Sequence, residues 1–190
     1  MKRLALAMVV LVGLVAVSCT NSSTATRTTA SPPTTPPSVS GMPAVQPDIP
    51  SDARAVSGGC GETVAYRGAI PAWLNEATGD NAPDGLPYVV AAPATAAGFI
   101  FGYPLRAGHP TNPTNKILWV VRTPRDGAPL QITVRPLASA APVLHEEVPA
   151  NSGPGEIYPD GVDVPTAGCW HFALRWRTGH AELDLRYVAA

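Results

Sequence analysis

The last part of the chain alternates between apolar and polar positions with the period of a β-strand. In residues 170–176 (Trp-His-Phe-Ala-Leu-Arg-Trp) every even position is large and apolar, and in residues 181–187 every odd position is apolar. A period of two is typical of a strand that buries one of its faces. The segment 177–180 between the two runs contains a glycine, so the pattern predicts a β-hairpin.

Other apolar runs predict further strands and one short helix. Residues 116–122 are almost uniformly apolar, as in a strand that is covered on both faces. The Pro-Arg-Asp-Gly sequence at 124–127 predicts a turn, which leads into an alternating strand at 130–135. Many short strands between proline- and glycine-containing turns predict an all-β fold, a two-sheet β-sandwich over residues 58–190. The remaining predicted elements are strands at 62–67, 88–92, 98–102 and 143–148 and a helix at 71–77.

The N-terminus has the pattern of an export signal. Lys2 and Arg3 precede an apolar run at 4–17, which is too short for the roughly 20 residues that a membrane-spanning helix needs. The run ends at Ser18-Cys19, which resembles the lipobox of bacterial lipoproteins. This resemblance implies a signal peptide at 1–18 and a diacylglyceryl group on the Cys19 thiol. We therefore expect a lipid anchor at the extracytoplasmic face of the cell membrane.

Residues 19–57 separate the signal from the sandwich. This stretch is rich in serine, threonine and proline, with runs such as Ser-Pro-Pro-Thr-Thr-Pro-Pro at 31–37. Such a composition buries too little apolar surface to offset the entropy of ordering the chain. The sequence therefore predicts a disordered tether, followed by a single domain.

The net charge of the expected mature chain limits the classes of partner. Residues 19–190 contain 11 basic and 14 acidic side chains, a net charge of −3, which speaks against a nucleic-acid partner. We expect a monomer.

Besides Cys19 the chain contains Cys60 and Cys169, and an exported protein meets conditions that permit a disulfide between them. Two separate buried thiols or a redox pair are the alternatives, although the chain has no Cys-x-x-Cys motif.

The C-terminal strand carries a further resemblance. The sequence Gly168-Cys169-Trp170, which follows Pro165 and opens the alternating run, resembles that of small exported β-sandwich lipoproteins of actinobacteria, of the mycobacterial type. Residues 113–122 and 152–159 are similar to the same group. The resemblance implies an immunoglobulin-like sandwich and a place in the cell envelope. It brings no catalytic residues, because no activity is established for that group.

Metal and cofactor chemistry has little support in the sequence. The histidines at 109, 145, 171 and 180 lack the H-x₃₋₅-H spacing of zinc sites. His145 and Glu147 point the same way on a strand, so they are weak candidates for a copper or zinc site. A polar strand face near a sheet edge explains them better, and we expect no cofactor.

Hydrolytic chemistry is not indicated either. The sequence Ala-Asn-Ser-Gly at 150–153 lacks the first glycine of a nucleophile elbow. Gly-Pro-Gly at 153–155 is not a phosphate loop, because proline removes a backbone donor. We therefore expect a protein that is not an enzyme.

Arginines that flank tryptophans favour binding. Arginine recognises carboxylates and phosphates through two parallel hydrogen bonds. We expect Arg122, Arg175 and Trp119 to contact a ligand, either an anionic cell-wall polymer or an envelope protein; a solvated strand face is the alternative. The leading interpretation is a non-enzymatic binding or accessory module of the envelope. A metal-handling lipoprotein, for copper or zinc, and an envelope hydrolase are the alternatives.

Overall fold

The computed structural model describes residues 48–151 and 153–190. The expected signal peptide (1–18), the lipidation site Cys19 and the tether as far as residue 47 lie outside the described residues. All the elements reported below belong to one compact unit.

The strands form two antiparallel sheets, in agreement with the predicted β-sandwich. The first sheet has six strands in the order β1-β2-β3-β4-β5-β8, and the second has four in the order β10-β9-β6-β7. A single helix, α1, lies between β2 and β3 along the chain. The elements are β1 (Arg54–Val56), β2 (Ala65–Arg67), α1 (Ala72–Ala77), β3 (Tyr88–Val90), β4 (Ala96–Ile100), β5 (Lys116–Val121), β6 (Leu130–Pro136), β7 (Leu144–Val148), β8 (Ile157–Gly161), β9 (Gly168–Trp176) and β10 (Gly179–Tyr187).

The strand order from β4 onward is that of an immunoglobulin-like domain. β4, β5 and β8 are neighbours in one sheet, as strands A, B and E are. The other sheet, β10-β9-β6-β7, matches the order G-F-C-C′. Strands β1 to β3 precede this unit and extend the first sheet by three strands.

The main core lies between the sheets and is rich in aromatic side chains. The even positions at 170–176 of β9 are buried as the alternation predicts, and Phe172 contacts Trp119 of β5 with a ring-centroid distance of 5.7 Å. Phe172 also stacks on Tyr187 of β10 at 6.4 Å. Burial of each such side chain contributes about 1.5–3 kcal/mol, and the contact between Phe172 and Trp119 joins the two sheets.

A second, smaller core covers the other face of the first sheet. Helix α1 begins directly after Pro71, a residue suited to a helix start. Its Trp73 and Leu74 pack with Tyr88 and Val120. This second core explains why β5 is almost uniformly apolar. One face of the strand contacts the opposite sheet, and the other face contacts the core under helix α1.

Two elements differ from the sequence expectations. Strand β1 lies within the predicted tether and pairs with β2, and Ile49 packs against the second core. The domain therefore begins before residue 58, and the predicted boundary is wrong. Strand β8 was not predicted, because Pro159 and Gly161 disfavour strands; it pairs with β5 alone, at a sheet edge where proline is tolerated.

The disulfide joins Cys60 to Cys169, with a Cα–Cα distance of 6.0 Å. Cys169 lies on the outer side of β9, opposite Arg186 of β10. The segment Gly58 to Cys60 runs along the free edge of β10, where the Arg186 amide donates to Gly58 and the Cys60 amide donates to Asp184. The bridge thus fastens this segment over a sheet edge, and it differs from the inter-sheet bridge of antibody domains.

Candidate functional site

The outward side of the β10-β9-β6-β7 sheet, which we call the open face, carries polar side chains and no helix among the described elements. Because neighbouring strands are in register, their outward residues form rows across the sheet. One row aligns Gln131, Arg175 and His180, and another aligns Arg135, His171 and Asp184. Each row borders a cavity, and the two cavities are the candidate sites.

The first cavity, which we call the Arg175 groove, has a volume of about 280 Å³ and lies between the β5–β6 and β9–β10 turns. Arg175 is exposed, and Gln131 and His180 flank it on the adjacent strands. Arg175 forms no hydrogen bond or ion pair with any residue in 48–151 or 153–190. Glu147 lies one strand beyond Gln131, so the register separates it from Arg175 by two strand spacings, about 9–10 Å.

The rim of this groove is built by close packing. The Trp176 indole donates a 2.9 Å hydrogen bond to the Thr123 hydroxyl in the β5–β6 connection. Gly179 lies against the same indole, and a Cβ atom at this position would be 2.3 Å from the ring. Arg177 forms an ion pair with Asp126. These contacts hold the two turns together above Arg175.

Arg122 lies in a different place from Arg175. Its guanidinium stands 5.5 Å from the centroid of the Trp73 ring. It lines a cavity of about 310 Å³ with Glu76 and Glu156, and this cavity shares no lining residue with the Arg175 groove. The structure therefore does not bring the two predicted arginines into one site, and the carboxylates near Arg122 disfavour an anion there.

Trp119 is not a surface residue. Its side chain has 0% exposure and lies in the main core. The expectation that Trp119 contacts a ligand is wrong, because a ligand would have to open the sandwich to reach it.

The weak metal candidates lie on the edge strand β7, and both are exposed. His145 Nδ1 is 3.3 Å from the Thr133 hydroxyl, and Glu147 stands opposite Gln131. Within the described part of the chain, no group of three or more His, Cys, Asp or Glu side chains has the arrangement of a metal site.

A second cavity, which we call the His171 cavity, was missed by the sequence analysis. It has a volume of about 410 Å³, and its polar lining includes Glu62, Arg135, His171, Glu182 and Asp184. Alternation alone places His171 outward on β9 and the two acidic residues outward on β10. The sequence did not show that they meet, because this depends on the register of the hairpin.

Within the described residues no helix is long and apolar enough to cross a membrane. Comparison with family models, curated proteins and solved structures finds no match to the chain. The function must therefore be argued from the side chains of the two cavities and from the N-terminal sequence pattern.

Proposed function

We propose that this protein is a lipid-anchored, extracytoplasmic lipoprotein of the cell envelope whose domain binds an anionic wall polymer without catalysis. The basic start, short apolar run and Ser18-Cys19 support the anchor. The disulfide between Cys60 and Cys169 supports the compartment, because disulfides persist in oxidising surroundings.

The observation that carries the binding proposal is the unpaired Arg175 in its groove. A guanidinium presents donors in a planar fork that matches a carboxylate or phosphate. The Gln131 amide adds a neutral donor on one side, and the His180 ring adds a donor on the other. All three residues line the groove, so one anionic group in it has several hydrogen-bond donors nearby.

A single exposed site of this kind binds weakly by itself. A polymer presents many identical groups, and a protein that is anchored beside it meets a high local concentration of them. Weak recognition of each unit is then sufficient for attachment. Salt weakens the contact, because exposed charges are screened.

The test compares Arg175 with an arginine on the same face that lies outside the groove. Arg186 is exposed on β10 and provides the matched control. The intact protein is titrated with poly-L-glutamate and with inorganic polyphosphate, as model carboxylate and phosphate polymers. We expect R175A to bind about tenfold more weakly, as the loss of a charged hydrogen bond implies, and R186A to bind as the native protein does.

The R175K variant separates the effect of the planar guanidinium from the effect of the positive charge. R175K keeps the positive charge and loses the fork, so we expect intermediate affinity. Equal binding by R175A and the native protein, with the fold intact by circular dichroism, contradicts the proposed site. Retention of poly-L-glutamate but not polyphosphate would identify the carboxylate as the recognised group.

The anchor is tested separately. Native protein is expected in the membrane fraction, with an intact mass that includes the diacylglyceryl group and lacks residues 1–18. The C19S variant is expected to lose the lipid and the membrane association. An unmodified thiol at Cys19 in the native product contradicts the lipoprotein assignment and leaves the Arg175 test unaffected.

A further inference from the structure

His171 lies between two carboxylates in the His171 cavity. Its side chain is only 17% exposed, and its Nδ1 is 2.9 Å from Asp184 Oδ1. An ionised carboxylate only accepts hydrogen bonds, so Nδ1 carries the proton in this contact. The other ring nitrogen, Nε2, is 3.7 Å from Glu182 Oε2, which is beyond hydrogen-bonding distance.

Asp184 is held in place by its surroundings. Its amide donates a 2.8 Å hydrogen bond to the Thr63 hydroxyl, and its carbonyl accepts one from the Cys60 amide. Gly61 leaves room for the carboxylate, because a Cβ atom there would be 2.2 Å from Oδ2. The orientation of the His171 ring is therefore fixed before any ligand arrives.

With Nδ1 turned to Asp184, the other ring nitrogen lies on the side of Glu182. A cation placed between Nε2 and Oε2 is within reach of both atoms. Tetrahedral zinc ligands at about 2.0–2.1 Å from the metal lie roughly 3.4 Å apart, close to the observed 3.7 Å.

We propose that His171 Nε2 and Glu182 Oε2 bind a divalent transition cation of the zinc or copper class, with Asp184 as the positioning residue. A carboxylate that accepts from the non-ligating nitrogen is the usual partner of a metal-bound histidine. Imidazole suits both zinc and copper. This site is separate from the Arg175 groove and goes beyond the function proposed above.

The charges around the site favour a cation. Three acidic residues line the cavity against one arginine, Arg135, so carboxylates outnumber the guanidinium. Two protein donors leave coordination positions open, and the cavity of about 410 Å³ has room for water or a small ligand. The site is thus of the open type, weaker than a four-ligand structural site.

The experiment titrates intact, chelator-treated protein without a polyhistidine tag with Zn²⁺ and, separately, Cu²⁺ by calorimetry. We expect one site in the native protein, which is lost in H171Q and in E182Q. D184N should weaken binding by about tenfold or more, because the ring loses its orientation. The matched controls, H145Q and E147Q, change the weaker candidate pair on β7 and should bind as the native protein does.

Long-range ¹H–¹⁵N spectra of the imidazole supply a readout that does not depend on affinity. We expect the Nε2 resonance of His171 to shift when zinc is added, while Nδ1 keeps its proton. A His171 spectrum that zinc leaves unchanged overturns the proposal. Native binding by E182Q also overturns it, since Glu182 is 61% exposed and its change should not disturb the fold.

Discussion

Arg177 donates to the Asp126 carboxylate and thereby connects the β9–β10 turn to the β5–β6 turn. Both residues have left-handed backbone conformations, with φ of 45° and 46°. This conformation is uncommon for residues other than glycine and clusters at functional sites. The pair therefore fixes the rim of the Arg175 groove, and it engages the guanidinium of Arg177, which also lines the groove.

The first prediction concerns this pair. D126N keeps a residue that tolerates a left-handed conformation, removes a negative charge beside the groove and releases Arg177. We expect affinity for poly-L-glutamate to rise about two- to fivefold at low salt and the gain to disappear at high salt. The free energy of unfolding should change by no more than about 1 kcal/mol, because the pair is exposed.

The double variant D126N/R177Q is the control for that prediction. If the released guanidinium causes the gain, the double variant loses it and binds no better than the native protein. A gain that persists in the double variant would mean that the rim itself, rather than the charge of Arg177, limits access to the groove.

The second prediction separates the role of Trp119 from ligand binding. W119A should lower the free energy of unfolding by about 3–5 kcal/mol, because it leaves a cavity in the main core. W119F should cost less, since no described residue accepts a hydrogen bond from the indole. Urea denaturation measures the free energy of unfolding of both variants. Folded W119F should bind polymer normally, and lost binding with unchanged stability would contradict a purely structural role.

The sequence predicted the β9–β10 hairpin and the covered strand β5 because these patterns are local. Alternation shows which residues of one strand share a face, and continuous apolarity shows that both faces are covered. For β5 the same continuity hides which residues face which layer. Trp119 was assigned to a ligand for this reason. Its contact with Phe172 of β9 shows that it lies between the sheets.

The candidate sites were harder to predict, because they depend on contacts between strands. The alternation at 170–176 predicts an outward Arg175 on β9. Its separation from Arg122 depends on the sheets, because β9 belongs to the second sheet and Arg122 follows β5 of the first. His171 and Asp184 meet only through the register of β9 and β10. The sequence of residues 58–60 has no apolar pattern that predicts a secondary-structure element. The disulfide and the backbone hydrogen bonds place this segment at the edge of β10.

The third prediction tests that edge. The C60S/C169S variant removes a bridge across 109 residues, and we expect a loss of about 2–5 kcal/mol in the free energy of unfolding. Hydrogen exchange should accelerate most at the Arg186 amide, which donates to Gly58. The amide of Val121 donates to Glu156 across the first sheet and serves as the internal control. Equal acceleration at both amides would indicate global destabilisation without release of the segment.

The last prediction concerns Tyr88, which is fully buried beneath helix α1. Its hydroxyl donates a 2.8 Å hydrogen bond to the Ala69 carbonyl. Burial raises the pKa of Tyr88 from 10.0 to about 12, and the neighbouring Tyr66 adds to the rise. The unfolded chain therefore loses the Tyr88 proton first as the pH increases.

Stability should therefore fall at high pH, because the unfolded chain ionises Tyr88 before the folded chain does. The raised pKa contributes its full stability below pH 10, and the contribution falls as the pH rises from 10 toward 12, by up to about 1.4 kcal/mol per pH unit. Burial also raises the pKa of Tyr158 and Tyr187, so these residues steepen the fall in the same direction. Y88F should be less stable at pH 8, because it lacks the hydrogen bond to Ala69, and should lose less stability than the native protein between pH 9 and pH 11. Urea denaturation at pH 8, 9, 10 and 11 measures both slopes. Parallel curves for the two proteins would show that Tyr88 ionises as readily in the folded chain as in the unfolded one, and that α1 does not keep water from its hydroxyl.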